Sequence, residues 1–523
     1  MADSGPARRP PSTDRGFHDA SVLFLRTEDR AAAEGRTAPA CFGDLNLDQV
    51  MAAVTAGRGE YDLSAFYSSP LGDEDAVRFR QEVFGDLGSQ EVREAIGAFA
   101  GTMRSVRGLL RQNLPYKYQQ ESWFFEAAET YSRGVTGLVA SFAGIDVRSR
   151  GLRRFRDYLT GYAGSAPFRS LVTESTRIGE ALAGVRYNLH IRGGRVTVSR
   201  PDPAADYTAQ IDAAFGRFRR GAVRDYLATF SGDPDLNHVG ILDRIALLYP
   251  EPFAALDEFC DRHRAFVDPA IAAFDREVQF YLAYLEFVDR LRSAGLPFCS
   301  PRVTEGTKET CARETFDIAL ASKLVARRSP VVRNDFRLKG AERVIVVTGP
   351  NQGGKTSFAR AFGQLHYLAS LGCPVPGEEA ELPLADIVLT HFGREEQLAD
   401  LRGRLEDDLV RMRDVLDGAT PSSIVILNEV FTSTTLLDAV FLSTEVLRRI
   451  EALDLLGVWV TFVDELAGMS ERTVSMVSNV LPDDPTVRTF KITRRPADGH
   501  AYAAAIAAKY GVSYARLKAR LPG

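Results

Sequence analysis

The sequence has few cysteines, and their positions exclude two common uses of this residue. The five cysteines are scattered, and no two of them form a C-x-x-C pair. We therefore expect neither a disulfide framework nor a zinc site, and a reducing cytoplasm is the expected compartment. The five positions are Cys41, Cys260, Cys299, Cys311 and Cys373.

Long apolar runs are also missing. No stretch approaches the roughly 20 apolar residues that a transmembrane helix needs, and the stretch from Met1 to Gly16 lacks the apolar centre of a signal peptide. Because this stretch is rich in Pro, Ser, Asp and Arg, residues 1–20 are predicted to be a disordered tail. We expect no association with a membrane.

The chain has no excess of positive charge. It carries 64 Lys and Arg residues against 69 Asp and Glu residues, which gives a formal net charge of −5. This balance argues against a surface that is basic throughout. It leaves room for local DNA-binding patches, because the distribution of charge decides such binding.

The sequence pattern changes between residues 324 and 343, which predicts a multidomain protein. Residues 21–329 are mainly helical in pattern, whereas strands alternate with helices from Arg343 onward, as a mostly parallel α/β sheet requires. A domain boundary is therefore expected in this region, and the family resemblance described below places it at residues 329/330. The clearest predicted helices are Ala76–Leu110, Trp123–Phe142, Ala209–Phe230 and Pro252–Ala294.

One β-hairpin interrupts the helical part, at residues 185–199. Two strand-like runs flank Arg192-Gly193-Gly194, and basic residues cluster there and on the helix predicted next. Such a cluster either binds the DNA backbone without sequence preference or is an ordinary solvated surface. Arg186, Arg192 and Arg195 are the candidate DNA contacts; His190, Arg200, Arg217, Arg219, Arg220 and Arg224 complete the cluster.

The stretch from Gly349 to Thr356 fits the phosphate-binding pattern G-x-x-x-x-G-K-[ST]. An apolar strand-like run precedes it and a helix-compatible run follows, which is the context that this pattern requires. Backbone N–H groups at such a loop point at phosphate oxygens. We expect Lys355 to reach the β- and γ-phosphates of ATP and the Thr356 hydroxyl to bind Mg²⁺. The candidate nucleotide-binding residues are Gly349, Pro350, Asn351, Gln352, Gly353, Gly354, Lys355, Thr356 and Ser357.

A second element of a nucleotide site follows the apolar run Ser423–Leu427, which ends at Asn428-Glu429. In P-loop ATPases such a strand usually ends in Asp-Glu, where the Asp holds Mg²⁺ and the Glu polarises the attacking water. Glu429 is therefore the candidate catalytic residue. Asn428 is a candidate Mg²⁺ ligand, although its neutral carbonyl oxygen removes one formal negative charge from the metal site.

These motifs resemble the MutS family of DNA mismatch-repair ATPases. Thr348–Thr356 is similar to the family signature T-G-P-N-x-x-G-K-S, and the match extends over residues 330–515. The other matching segments are Asn334-Asp335, Val375-Pro376, Asp386–Gly393, Glu429–Ala439, and Gly499 with Tyr502-Ala503, Ala508 and Gly511.

The resemblance implies an architecture and partners. Residues 330–523 would form an ABC-like P-loop ATPase domain, and residues 21–329 the family's helical core and lever, with the hairpin in its DNA-contacting clamp. Ser69–Asp73 is similar to the start of that core. The resemblance also implies a homodimer through the ATPase domains. Only about 50 residues separate the predicted tail from this core segment, so we expect no mismatch-recognition or connector domain. Phe124-Phe125-Glu126 fits the family's F-x-E wedge but has the spacing of helix core residues.

The sequence departs from the family pattern in four places. Asn428 replaces the Asp that usually holds Mg²⁺, and Phe462 replaces a His that senses the γ-phosphate in the family. Gly403-Arg404-Leu405 replaces a Ser-Thr-Phe loop, and Val331 replaces an aromatic residue that stacks on adenine. Arg402 or Arg404 would either contact the γ-phosphate across a dimer or lie on a solvated helix face.

Two functions therefore remain open. One is an ATP-driven DNA-binding dimer, which the retained Glu429 and the hairpin favour. The other is a nucleotide-gated interaction protein with little or no hydrolysis, which Asn428 and Phe462 favour. A small-molecule kinase is less consistent with the sequence, because no substrate-binding insertion is visible in the α/β part.

Overall fold

A computed structural model describes six ranges of the chain: 20–112, 116–192, 195–201, 236–393, 403–481 and 483–497. The tail through residue 19, the predicted helix Ala209–Phe230, Arg402 and the motif residues from Gly499 onward lie outside the described residues. The chain divides into two compact units. The predicted boundary at residue 330 rests on the resemblance and stays a prediction.

The elements follow one another along the chain in a mainly helical and then an α/β order. The helices are α1 (Thr27–Ala33), α2 (Cys41–Leu45), α3 (Leu47–Thr55), α4 (Ser64–Tyr67), α5 (Glu74–Asp86), α6 (Gln90–Leu110), α7 (Lys117–Gly144), α8 (Arg150–Ala163), α9 (Ala166–Ala183), α10 (Leu236–Leu248), α11 (Pro250–Arg262), α12 (Pro269–Arg292), α13 (Ile318–Ala326), α14 (Lys355–Ser370), α15 (Arg404–Asp417) and α16 (Leu436–Ala452). The strands are β1 (Asn188–Arg192), β2 (Arg195–Ser199), β3 (Phe298–Cys299), β4 (Arg302–Thr304), β5 (Thr310–Thr315), β6 (Asn334–Leu338), β7 (Val344–Thr348), β8 (Val375–Pro376), β9 (Glu379–Pro383), β10 (Val388–Phe392), β11 (Ile424–Asn428), β12 (Leu456–Val460), β13 (Thr473–Leu481) and β14 (Asp484–Arg494). In the part of the chain that the structure describes, no helix is long and apolar enough to cross a membrane.

One unit contains residues 90–146 and 155–275 and is mainly helical. Aromatic side chains fill its core: the rings of Phe155 and Phe274 stack with 3.5 Å between their centroids, and buried Phe125 packs edge-on against Phe259 at 5.4 Å. Phe124 also packs against core aromatics of this unit. The Phe124-Phe125 pair therefore belongs to the core, as its helical spacing indicates.

The predicted hairpin is present in this unit. Strands β1 and β2 pair antiparallel, with Asn188 opposite Ser199 and Arg192 opposite Arg195 at the tip. Buried Ile245, Ala246 and Phe253 form a small apolar cluster against which Val185 and Val198 pack, so the hairpin base is fastened to α10 and α11.

The other unit contains residues up to 89, 147–154, and those from 276 onward. Its main sheet has the strand order β10-β11-β12-β7-β13-β14; the first five strands are parallel and β14 is antiparallel. Every residue of β7, β11 and β12 is buried, as expected when crossover helices cover both faces of a parallel sheet. The predicted α/β architecture is confirmed for this part of the chain.

The same unit contains strands that the sequence did not predict. A second sheet has the order β4-β9-β5-β6, and β3 pairs with β8. Strands β3, β4 and β5 lie before residue 324, in the part predicted as mainly helical. Strands β3 and β4 are only 2 and 3 residues long, which is too short for a clear alternation of apolar and polar residues. The six residues of β5, Thr-Cys-Ala-Arg-Glu-Thr, do not alternate strictly between apolar and polar.

Helix α14 packs against the main sheet with almost all of its residues buried. Gly363 makes the close approach possible: a Cβ atom there would lie 2.2 Å from Cδ1 of Ile426 in β11 and 2.8 Å from Cδ2 of Leu45. Just beyond the helix, the carbonyl of Leu371 accepts a hydrogen bond of 3.2 Å from Nη1 of the fully buried Arg80. These contacts hold the middle and the end of α14 in place.

Gly363→Ala should lower the free energy of unfolding of this unit by about 1–3 kcal/mol, because the added methyl group overpacks the contact between α14 and β11. Urea denaturation followed by the fluorescence of buried Trp459, in a Trp123→Phe background, measures it. Gly85→Ala is the matched control, since a Cβ there meets no atom within 4 Å. Equal stability of the two variants would contradict the packing argument.

Candidate functional site

The glycine-rich loop joins the end of β7 to the start of α14. Three of its residues have left-handed backbones: Gly349 (φ 110°), Gln352 (φ 59°) and Gly354 (φ 90°). A Cβ atom at Gly353 would lie 2.2 Å from Oγ of Ser478 and 2.9 Å from the carbonyl oxygen of Pro350. Glycine is therefore required at Gly353 by space and is favoured at Gly349 and Gly354 by backbone angle.

Lys355 is the first residue of α14, and its ammonium group lies inside the loop. Nζ donates to the carbonyl oxygens of Gly349 (2.9 Å) and Pro350 (3.1 Å) and to Oδ1 of Asn351 (3.3 Å). The residue is 6% exposed. Burial lowers the pKa of Lys355, the charge of Glu429 opposes that change, and the charge of Arg488 adds to it. The loop thus holds a cation that neutral carbonyl and amide oxygens solvate.

Thr356 and Asn428 meet between α14 and the end of β11. The Thr356 hydroxyl donates to Oδ1 of Asn428 over 2.9 Å, and Asn428 is buried. Two neutral oxygens thus lie side by side next to the loop. They fit a Mg²⁺ ion, which takes few protein oxygens and completes its shell with phosphate and water.

Glu429 follows β11 with an exposed side chain and a left-handed backbone (φ 53°). Its N–H donates to the carbonyl oxygen of Val460 at the end of β12, at 2.9 Å. A left-handed backbone is strained for a residue with a side chain, and such strain tends to occur at functional sites. The carboxylate lies close enough to favour the charged form of Lys355.

An apolar cavity of about 280 Å³ adjoins the loop. Val331 and the aromatic side chain of Phe490, from β14, both line it. Asn334 holds this part of β14: its Nδ2 donates to the carbonyl oxygen of Phe490 (3.1 Å), and its Oδ1 accepts from the N–H of Ile492 (2.8 Å). Further lining residues are Thr315, Phe316, Asp317, Leu320, Leu324, Pro330, Val332, Gly354, Ser357, Phe358 and Ala361.

Sequence reasoning missed two residues of β14 beside the loop. Phe490 provides an aromatic ring in the cavity where the sequence suggested only Val331. Nε of Arg488 donates to the carbonyl oxygen of Asn351 over 3.1 Å. Oγ of Ser478, in β13, donates to the carbonyl oxygen of Gly353 over 2.7 Å. In the sequence, the signal for these roles is an aromatic and a basic residue in a strand near the C-terminus. Such residues are common on protein surfaces, so they do not single out a site.

Arg404 lies beside the same site on its own chain. Its Nη2 donates to Oγ1 of Thr432, in the segment after Glu429, over 3.3 Å. Gly393, whose N–H donates to the carbonyl oxygen of Asn428, is also a neighbour of this guanidinium. Phe462 is half exposed after β12. Whether Arg404 meets a nucleotide across a dimer stays a prediction.

The candidate DNA contacts are only partly described. The Arg186 guanidinium donates to the carbonyl oxygen of Ala183 over 2.6 Å, and its own carbonyl oxygen accepts from the Tyr249 hydroxyl at 2.5 Å. The side chains of Arg192 and Arg195 are outside the description, as are Arg217, Arg219, Arg220 and Arg224. The structure therefore places Arg186 at the base of the hairpin and the backbones of Arg192 and Arg195 at its tip.

Comparisons with known proteins agree on one resemblance. Residues 345–521 match the family model described as MutS domain V. Relatives named DNA mismatch repair protein MutS include those of Chlorobaculum tepidum (26% identical over 219 residues, 41% of this chain and 25% of the relative), Shouchella clausii (29% over 196 residues, 36% and 22%) and Thermus thermophilus (39% over 121 residues, 23% and 15%). The aligned part is a quarter or less of the length of these three relatives.

The resemblance to the MutS family is therefore confirmed over this part of the chain. The matched region contains the end of β7, the glycine-rich loop, α14, β11 with Asn428 and Glu429, and β14.

Proposed function

We propose that this MutS-like chain binds ATP with Mg²⁺ and acts as a DNA-binding ATPase of the DNA repair or recombination type. One observation carries the proposal: the Lys355 ammonium, the Thr356 hydroxyl and Asn428 converge where the glycine-rich loop meets the N-terminus of a buried helix. This arrangement matches the requirements of a triphosphate with its metal ion.

The loop would bind the phosphates through its backbone and through Lys355. The first N–H groups of α14 have no partner within the helix and suit an anion. The carbonyl oxygens of Gly349 and Pro350 now solvate the ammonium. Phosphate oxygens would replace them and would pair the ammonium with negative charge, which attracts it more strongly than neutral carbonyl oxygens do.

Thr356 and Asn428 would hold the Mg²⁺ ion, which supplies positive charge to the β- and γ-phosphates. Asn428 contributes a carbonyl dipole rather than a negative charge, so the protein attracts the ion less strongly than a carboxylate would. We therefore infer that the phosphates of the nucleotide hold the Mg²⁺ ion more strongly than the protein side chains do.

Glu429 would orient the attacking water and accept its proton. Its carboxylate is exposed after β11, next to the strand end that presents Asn428. Slow hydrolysis is the consistent expectation, because the weaker metal site stabilises less of the charge that develops on the phosphates.

The second candidate function is a nucleotide-gated interaction protein with little or no hydrolysis. The neutral Asn428 beside Thr356 favours it, because a weak metal site reduces turnover more than nucleotide binding. Turnover that does not respond to substitution of Glu429 would favour this alternative.

The apolar cavity would take the adenine base. It adjoins Gly354 and Ser357, so a nucleotide whose phosphates lie in the loop has its base within reach. Phe490 would stack on the ring in place of the aromatic residue expected near Val331. Apolar walls with few polar groups are typical of such pockets.

A second copy of the chain is the proposed partner of the ATPase region. The start of α16 exposes Leu436, Leu437 and Phe441, which are 59%, 82% and 64% accessible. They and half-exposed Phe462 lie in the segments that follow the adjacent strands β11 and β12. Exposed apolar side chains grouped in this way favour a protein interface.

DNA is the proposed partner of the hairpin. The names of the relatives support a DNA-repair role, and Arg186, Arg192 and Arg195 place three cations on one hairpin. Phosphate contacts from such residues bind DNA without reading its sequence.

Lys355→Ala should abolish ATP binding, because it removes the cation that meets the β- and γ-phosphates. Calorimetric titration with ATP measures the affinity, with Lys339→Ala as the control. Unchanged ATP affinity in the Lys355 variant would refute the phosphate-loop assignment.

Glu429→Gln should keep the affinity for ATP and reduce turnover, as expected of a group that acts in the transition state. Asn428→Asp should strengthen the dependence of turnover on Mg²⁺. A phosphate-release assay measures both effects, again with Lys339→Ala as the control.

Phe490→Ala should weaken ATP binding by about 1–3 kcal/mol, the usual contribution of stacking between a base and an aromatic ring, and should leave tripolyphosphate binding unchanged. Val487→Ala, an exposed residue on the same strand, is the control. If both ligands bind the Phe490 variant as they bind the wild type, adenine does not occupy this cavity.

DNA binding should be independent of sequence and should fall steeply with salt, because released counterions supply much of the affinity. Replacing Arg192 and Arg195 with Ala should weaken it for every duplex and reduce the salt slope by about one unit per lost contact. Fluorescence anisotropy measures this, with Arg264→Ala as the control. A strong preference for mismatched over perfect duplex would contradict this account, and the absence of binding at low salt would favour the interaction protein.

A further inference from the structure

The apolar cavity beside the loop has one carboxylate in its wall. Among the described residues that line the cavity, Asp317 is the only one with an ionisable side chain, and the residue is only 6% exposed. Burial of a charged group in apolar surroundings costs free energy unless hydrogen bonds or a ligand compensate for it. A carboxylate in this position therefore needs partners.

The protein supplies partners to one oxygen of this carboxylate. Oδ1 of Asp317 caps α13, since it accepts from the N–H groups of Ala319 (3.0 Å) and Leu320 (3.1 Å). It also accepts from Nε2 of Gln364, in α14, at 2.8 Å. Oδ2 accepts no hydrogen bond from the described residues, and it is not one of their buried unsatisfied atoms. Oδ2 can therefore accept from a ligand in the cavity.

Helix capping alone does not require a carboxylate at this position, because Asn and Ser cap helices about as well with a single oxygen. Burial raises the pKa of Asp317. The hydrogen bond from Gln364, those from the start of α13 and the charge of Arg360 oppose that rise. A donor group on a bound molecule would favour the charged form in the same way.

The carboxylate lies toward the end of the cavity that is remote from the phosphate-binding loop. Ser357 lines the cavity in the first turn of α14. Gln364, which holds Asp317, is about two turns farther along the same helix, a distance of roughly 10 Å. In a nucleotide whose phosphates lie in the loop, the edge of the base farthest from the phosphates would face this end.

We propose that Asp317 determines the base specificity of the site by accepting a hydrogen bond at Oδ2 from the exocyclic amino group of adenine. The inference rests on the proposed function and deepens it, since it names the residue that recognises the base. The amino group is the hydrogen-bond donor of the adenine ring system, and an ionised carboxylate can only accept. The two groups are therefore complementary.

The wild type should bind ATP about 10-fold or more tightly than the triphosphate of purine riboside, which lacks the amino group, because a hydrogen bond to a charged group is lost. Calorimetric titrations in Mg²⁺ measure both affinities. Equal affinities would contradict the inference. Tighter binding of GTP than of ATP would also overturn it, because the carboxylate would then recognise the N–H groups of the guanine edge.

Asp317→Asn should remove the preference for ATP and keep the helix cap. The N–H groups of Ala319 and Leu320 hold the amide oxygen at the place of Oδ1, so the amide nitrogen, a donor, takes the place of Oδ2. The ratio of the two affinities should fall to about one, because two donors that face each other form no hydrogen bond. Asp73→Asn is the matched control, since Asp73 caps α5 and does not line the cavity; its ratio should stay at the wild-type value.

Three results separate the possible failures. If Asp317→Asn keeps the preference of the wild type for ATP, another group recognises the base and the inference is wrong, while loss of ATP in Lys355→Ala still supports the nucleotide site. An equal loss for both triphosphates, with a lower melting temperature of the free protein, means that Asp317 only caps α13, which also overturns the inference. If the wild type binds neither triphosphate, the proposed function itself fails.

Discussion

The candidate site depends on the burial of helix α14, whose first turn carries Lys355 and Thr356. Gly363 lets this helix approach Ile426 of β11 and Leu45 so closely that a methyl group would not fit. Arg80, which is fully buried, donates to the carbonyl oxygens of Leu23 and Leu371 and so ties the end of the helix to the N-terminal segment. Because protein interiors are close-packed, a helix held at both its middle and its end has little freedom to shift.

From this fixed helix the site is completed by residues on other strands. Lys355 and Thr356 lie in its first turn, and Asn428 comes to Thr356 because β11 is one of the strands on which α14 packs. The β13–β14 hairpin then closes on the loop through Ser478 and Arg488, which donate to the carbonyl oxygens of Gly353 and Asn351. The positions of the loop, of Thr356 and Asn428, and of the cavity thus all depend on one packing arrangement.

Elements with a strong local signal were predictable. The spacing of glycine, lysine and threonine between an apolar run and a helical run predicted the strand–loop–helix unit, which the structure confirms as β7, the loop and α14. Alternation around Arg192-Gly193-Gly194 predicted the hairpin for a similar reason. Short strands gave no such signal: β3, β4 and β5 are set by pairing with β8, β9 and β6, so their neighbours in space decide their conformation.

The sequence by itself determined which chemical groups the site contains: a lysine, a hydroxyl, an amide and a carboxylate at spacings that suit a nucleotide. It also determined that the proposed metal ligand set is less negative than usual, since Asn428 stands at the end of β11. Only the tertiary structure decided that Phe490 lines the cavity and that Arg488 meets Asn351. Both residues belong to β14, which is remote from the loop in sequence and reaches it only because β13 pairs with β7 and β14 pairs with β13. Strand pairing joins distant parts of a chain, and no local pattern records which partners will meet.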